Sequence, residues 1–457
     1  MRSSRAQIAA PCNNFFKIEF TRQDITAYGG LELIRRYFHL IGLHRRIQRA
    51  FRQHRLGGDY QAVDMVLVVL ALLLVGGRRL EHLAYVSADP LVKRFCRLSR
   101  LPRETTVARW LKRFTLESLQ ALVELNSQIV CEAIEREALG RLTLDVDGTV
   151  ITTGAKVAWA FRGFNPHHRK HRSYYALLAH LAQTGHILKL KNRPGNVHDS
   201  KGAVPFLREL IADVRARIRR RVVLEFRMDS AFFQQSVIDL LEAKEALYAI
   251  KVPFFKWLGL VPLIRAQKQW HAIRAGLSCF EQSLEVPAWN KTLRVVVYRK
   301  AVPHESRKNY QLDLFDPNNG HFEYSAVTTN TGLRPAALWD FMAGRGAQEK
   351  TYGELKGEWA LDTVPTNHYS ANSAWQQIAI LGHNLLRSFQ LETLAPAKPR
   401  SRKRTFSFLL QNMRTVRFKL IHQPARLVRP QNYSVLRFSV SEVTRHLIDT
   451  ISQKLAA

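Results

Sequence analysis

Paired cysteines, a membrane-length apolar run and a balancing share of acid are all missing from this 457-residue chain. Its four cysteines, Cys12, Cys96, Cys131 and Cys279, lie far apart with no C-x-x-C pair, which argues against a disulfide framework and a zinc ribbon and suits a reducing cytosol. The longest apolar run, Met65 to Val75, falls short of the roughly 20 residues that cross a bilayer, so it is expected to be a buried helix. The opening MRSSRAQIAAPCNNFF has charge but no apolar core behind it, so no secretory signal is expected. Acidic residues are scarce: 37 Asp and Glu stand against 69 Lys and Arg, a net charge of +32. A field of that sign draws polyanions, and nucleic acid fits better than a membrane surface. Hydrophobic residues make up 46%, enough for a substantial core and two or three domains.

Residues 1 to 140 read as a helical region that binds DNA. Within it LPRETTVARWLKRF offers a threonine-capped start, with Val107, Leu111 and Phe114 at helical spacing. It fits either the second helix of a helix-turn-helix or a core helix with a solvated basic face. Between 141 and 252 the pattern turns to strands. LTLDVDGTV alternates, placing Asp145 and Asp147 on one polar face. YYALLAHL and HILKLK follow as a hairpin, then a helix from Ser200 to about Arg219, a strand ending at Asp229, a helix from about Ala231 and a strand near Ala246 to Val252. Three strands, helix, strand, helix, strand is an α/β order that resembles the ribonuclease H-like fold. Residues 253 to 331 read as a β-rich insertion, whose aromatics are expected to be core. Residues 332 to 395 carry the final core helices, with an amphipathic helix from Asn372 to Leu394. The last region, 396 to 457, opens on the basic linker KPRSRKRTF, and ten Lys and Arg with no acid lie between Lys398 and Arg429.

RGAQEKTYGELK sets Arg345, Glu349 and Lys356 at helical intervals of four and seven, a carboxylate flanked by two cations on one face. Together with the strand-end Asp147 and Asp229, Glu349 suggests a divalent-metal site acting on nucleic-acid phosphate. Two ions can activate water or a DNA hydroxyl and stabilise the leaving oxygen, and Mg²⁺ suits an all-oxygen site, with Mn²⁺ as a substitute. Asp145 rivals Asp147 for the first position, and Asp229-Ser230 alone makes a good N-cap. Arg345 and Lys356 can equally form exposed ion pairs with Glu349. After the first strand, FRGFNPHHRKHRSYY adds Arg162, Arg169, Lys170 and Arg172 among aromatics, a mixture suited to phosphate contact with base stacking, or else a solvated basic loop. Zinc at His167, His168 and His171 lacks a fourth ligand.

These motifs resemble the signature of bacterial insertion-sequence DDE transposases, in which Tyr, two residues, Arg, three residues, Glu, six residues and Lys follow in order. Met342 stands where that pattern has tyrosine. LDVDGT and RMDSAFF are similar to the two Asp motifs, and the resemblance spans about 140 to 390. It implies Asp147, Asp229 and Glu349 as the metal-binding triad, with Arg345 and Lys356 on transposon-end phosphates. It also implies cleavage at the element's terminal inverted repeats and joining of the 3′ ends to target DNA, by a homodimer when DNA-bound, at the nucleoid in the cytoplasm. A nuclease of the same fold and a non-catalytic DNA-binding descendant are the competing readings.

Overall fold

The computed structural model describes residues 15–20, 24–163, 170–198, 200–302, 322–394, 405, 407–439 and 441–456. The first region is built of helices α1 (Leu31–Leu40), α2 (Leu43–Phe51), α3 (Ala62–Leu74), α4 (Leu83–Val86), α5 (Pro90–Phe95), α6 (Glu104–Leu111) and α7 (Leu116–Arg136). α3 comes from the long apolar run, and every residue from Met65 to Leu74 is buried. α6 departs from the expected threonine cap. Arg103 stands at its N-cap without a side-chain bond, and Thr105 and Thr106 lie inside the helix while Val107, Trp110 and Leu111 face the core. α7 has the cap that α6 lacks: the Thr115 hydroxyl accepts from the Ser118 N–H.

The sheet follows in the expected order: β2 (Arg141–Thr152), β3 (Ser173–Leu181), β4 (Ile187–Lys191), α8 (Ala203–Arg217), β5 (Val223–Met228), α9 (Gln235–Ala243) and β6 (Leu247–Val252). β3 runs antiparallel to β2 and β4, while β5 lies parallel to both β2 and β6. Gly185, at φ +75°, turns the chain between β3 and β4, a conformation that costs glycine little. The next segment holds α10 (Leu260–Ala266), β7 (His271–Arg274), β8 (Leu277–Val286), β9 (Lys291–Ala301) and β10 (Phe322–Thr329). β10 pairs antiparallel with β6, so these strands prolong the sheet rather than forming a second one. The nine strands lie in the order β4-β3-β2-β5-β6-β10-β9-β8-β7.

Three helices close over this sheet: α11 (Pro335–Ala343), α12 (Gly346–Gly357) and α13 (Tyr369–Thr393). α13 is not amphipathic in its setting, since every residue from Ala371 to Leu391 is buried. Several of its polar groups pair across helices and strands. Asn384 accepts from the Ile187 N–H at 2.8 Å and donates to Asn126 and the Ile187 carbonyl, each at 2.9 Å. Beyond it come α14 (Met413–Val416), one π-helical turn (Arg417–Ile421), β11 (Ala425–Val428), β12 (Val435–Phe438) and α15 (Glu442–Ala456). β11 pairs with β1 (Ile25–Thr26), tying the tail to the start of the chain. Of the basic linker KPRSRKRTF only Thr405 is among the described residues. No described helix is long and apolar enough to cross a membrane.

Candidate active site

The polar face of β2 divides its two aspartates between different tasks. Asp145 is wholly buried, and both its oxygens are taken by Arg227 of β5, at 2.6 Å from Nε and 2.8 Å from Nη2. The remaining Arg227 nitrogen donates to the Phe341 carbonyl of α11 at 2.7 Å. His180 of β3 lies 3.2 Å from Asp145 through Nδ1 and 3.2 Å from the Thr351 hydroxyl of α12 through Nε2. Asp145 therefore anchors α11 and α12 to the sheet. A side chain at Gly344 would place Cβ 2.5 Å from Arg227 Nη1, so the junction of the two helices needs glycine to approach this closely.

Two residues along the strand, Asp147 lies beyond the stretch of β2 paired with β5 and keeps a quarter of its side chain exposed. Its Oδ1 accepts from the Gly148 N–H at 2.8 Å, and its Oδ2 accepts from Arg345 Nη2 at 2.6 Å. Asp229, the first residue after β5, divides its oxygens in the same way. Oδ1 caps the short turn Ser230–Phe232 through the Ala231 N–H at 3.0 Å, while Oδ2 lies 3.8 Å from the same Arg345 Nη2. The capping role thus leaves one oxygen for the centre of the site. The two Oδ2 atoms stand no farther apart than the sum of those distances, 6.4 Å.

Arg345 is the N-cap residue of α12, with helical φ and ψ. Burial works against its charge, but Asp147, Asp229 and Asp145 outweigh that and raise its pKa above the ordinary value. Its Nε is buried without a hydrogen-bond partner among the described residues. Tyr352, one face deeper in α12, is held protonated by burial and by the nearby carboxylates of Asp147 and Asp145. Glu349 occupies the first turn of α12 and is exposed, with no ion pair among the described residues. Nor do the described residues contain a group of three or more Asp, Glu, His or Cys side chains close enough to hold a metal ion. The structure joins Asp147, Asp229 and Arg345; Glu349 stands outside that contact. Lys356, at the other end of α12, is half-buried, and burial lowers its pKa despite the opposing charge of Asp362.

The neighbouring acids of α12 have other work. Glu354 pairs with Arg387 at 2.6 Å and accepts from the Met413 N–H at 2.9 Å, and Glu358 binds Arg417 and Arg414. Arg162, Lys170 and Arg172 are exposed between β2 and β3. Arg169, His167 and His168 lie outside the described residues. Of the RARIRRR run, Arg217 pairs with Asp213, Arg215 donates to the Lys244 carbonyl and Arg220 to the Glu135 carbonyl. Arg227 and His180 escaped the sequence reading. The available signal was an arginine inside the apolar strand VLEFRM, where a buried guanidinium requires a carboxylate.

The sequence model of the family described as transposase DDE domain group 1 matches residues 12–457. No curated protein matches the chain. Among solved structures the chain is similar to piggyBac transposase in a synaptic complex with hairpin DNA. That match has 11% identity over 95% of this chain and 88% of that chain, with a TM-score of 0.40.

Proposed function

We propose that this chain, which belongs to the transposase DDE domain family, cuts DNA at the ends of a mobile element and joins the freed 3′ hydroxyls to target DNA. The observation that carries this reading is the convergence of Asp147 and Asp229 on one cation. Two carboxylates, one within β2 and one just after β5, share the guanidinium of Arg345, which stands where positive charge is needed. The Oδ2 atoms, no more than 6.4 Å apart, are carboxylate oxygens of the kind that divalent ions such as Mg²⁺ take as ligands. The donor set therefore suits Mg²⁺ or Mn²⁺. Asp147 and Asp229 would hold the ions, with Glu349 of α12 as the third carboxylate. Such ions supply an activated water or 3′ hydroxyl and a counter-charge for the leaving oxygen.

Arg345 would then leave the aspartates for a phosphate of the transposon end. Its raised pKa keeps the charge, and its buried, unpartnered Nε is a donor for which a phosphate oxygen is a fitting acceptor. Lys356 would bind a second phosphate, whose negative charge favours the protonated form that its half-buried place disfavours. The strand order β4-β3-β2-β5-β6, with the two aspartates at β2 and just after β5, supports assigning a ribonuclease H-like core. Pairing two element ends calls for a DNA-bound homodimer at the nucleoid, with Arg162, Arg169, Lys170 and Arg172 along the DNA path.

The test is Asp229→Asn with DNA carrying the element's terminal repeats. Mg²⁺-dependent cleavage should vanish while DNA binding holds or tightens, because one negative charge is removed. Cleavage at the unmodified rate would remove Asp229 from the site. In a strand-transfer assay with pre-cleaved ends, joining identifies a transposase and hydrolysis alone a nuclease of the same fold.

A further inference from the structure

β2 and β3 continue together past Asp147, with Thr152 opposite Ser173. At about 3.3 Å per residue, the tip of this ribbon stands roughly 17 Å beyond the aspartate. A cleft of about 830 Å³ opens there, between the ribbon tip, the turn after α6 and the start of α13. Lys112, Lys156 and Arg172 line it, all exposed; among the described residues none of them is ion-paired and no Asp or Glu contributes to the wall. Apolar surface comes from Phe114, Trp159 and Tyr369.

Trp159 is the unusual member. It is 63% exposed, and its φ of +60° puts a bulky residue in the left-handed region. The surroundings hold it there. Ala158 donates its N–H to the Asn367 carbonyl at 2.9 Å, and its own carbonyl accepts from the Tyr174 hydroxyl at 2.7 Å. The Trp159 and Tyr369 rings stand 6.4 Å apart at 57°, too far and too tilted to fill the space between them by stacking. The Tyr369 hydroxyl is fixed on the Asn192 carbonyl at 2.6 Å. A rigidly presented, solvent-facing indole beside three unpaired cations matches the two faces of a nucleotide, a flat base and an anionic phosphate.

We infer that this cleft binds one unpaired nucleotide of a DNA strand, its base stacked on Trp159 and its flanking phosphates on Lys112, Lys156 and Arg172. The inference rests on the DNA-processing reading of the Asp147 and Asp229 site, and it places a second DNA contact about five base-pair steps away at 3.4 Å per step. The cleft is large enough for a nucleotide and lies apart from the aspartates, so its loss should weaken DNA binding without touching the cleavage chemistry.

The test uses the full chain and a short single-stranded oligonucleotide in which 2-aminopurine replaces successive adenines. One position should change fluorescence on binding. Trp159→Ala should erase that change and weaken binding between about fivefold and a hundredfold, while Trp159→Phe restores most of both. Lys156→Ala should reduce the slope of log affinity against log salt by about 0.7, the single-strand value for one phosphate contact. An unchanged signal and affinity in Trp159→Ala, or an unchanged slope in Lys156→Ala, overturns the inference. Rescue by Trp159→Phe separates stacking from misfolding. Cleavage by wild-type protein is scored separately: its absence in the presence of an intact fluorescence response counts against the catalytic reading and leaves the cleft in place.

Discussion

Replacing Asp145 with asparagine separates an anchoring role from a catalytic one. The carboxylate is 0% exposed, holds Arg227 through two bonds of 2.6 and 2.8 Å, and accepts nothing from solvent. Asparagine keeps the shape but leaves a buried guanidinium without its counter-charge, and breaking a buried pair from one side costs about 3–5 kcal/mol. A typical domain has only about 5–15 kcal/mol to lose. Asp147→Asn should cost on the order of 1 kcal/mol, since its pair is partly exposed and Arg345 retains Asp229. Urea unfolding followed by circular dichroism measures both. Asp145→Asn should move the midpoint far toward low urea, and a double variant, Asp145→Leu with Arg227→Met, should recover part of the loss because both charges leave together. The recovery stays incomplete because the Phe341 carbonyl loses its donor. If Asp145→Asn loses less than about 1 kcal/mol and yet abolishes cleavage, Asp145 belongs to the chemistry and the division between the two aspartates is wrong.

Acid stability should carry the mark of His186, whose imidazole is held between the Thr184 and Ser388 hydroxyls and pushed by burial down to about 3. The unfolded chain takes up its proton near pH 6.5 and the folded chain only near 3. Stability should therefore fall on acidification across that window by up to about 1.4 kcal/mol per pH unit for this group, and His186→Asn should flatten the fall in urea titrations at successive pH values. An equally steep acid limb in the variant refutes this. Lys356→Ala should weaken binding to duplex ends and lower the salt slope by about one counterion in fluorescence titrations, and an unchanged slope would take Lys356 off the DNA path.

The order of strands and helices from 141 to 252 could be read from the chain because alternation and turn residues are local signals. Asp229 is legible in that way, where the apolar strand β5 runs out. Asp147 is expected at such an end too, but β2 continues to Thr152, so it lies within the strand and only its place on the polar face could be read. The separation of Asp145 from Asp147 could not be read. Alternation tells which face a residue takes, not what later covers that face, and the cover is α11 and α12, nearly two hundred residues on. α13 misled for a related reason. Its Asn384 and Gln377 look like a solvated stripe, but they pair with the backbone of β4 at Ile187 and Leu190, so polarity in the sequence meant buried pairing rather than water. Trp159 left no periodic trace, because a single residue of positive φ in a connecting loop is set by tertiary contacts alone.

Arg345 joins these threads through electrostatics. Two carboxylate charges within 6.4 Å repel by at least roughly 2.6 kcal/mol at an effective dielectric of 20, so the pocket is unfavourable without a cation. The helix that delivers the cation works against it. A positive group at the N-cap of α12 opposes the helix dipole, at about 0.3–1 kcal/mol, whereas Glu349 in the first turn is favoured there. Arg345 therefore keeps its place because of the two aspartates and not because of its helix. Any other cation that satisfies Asp147 and Asp229 removes the reason for the guanidinium to stay, and leaves it at the mouth of the site, still charged and able to meet a phosphate.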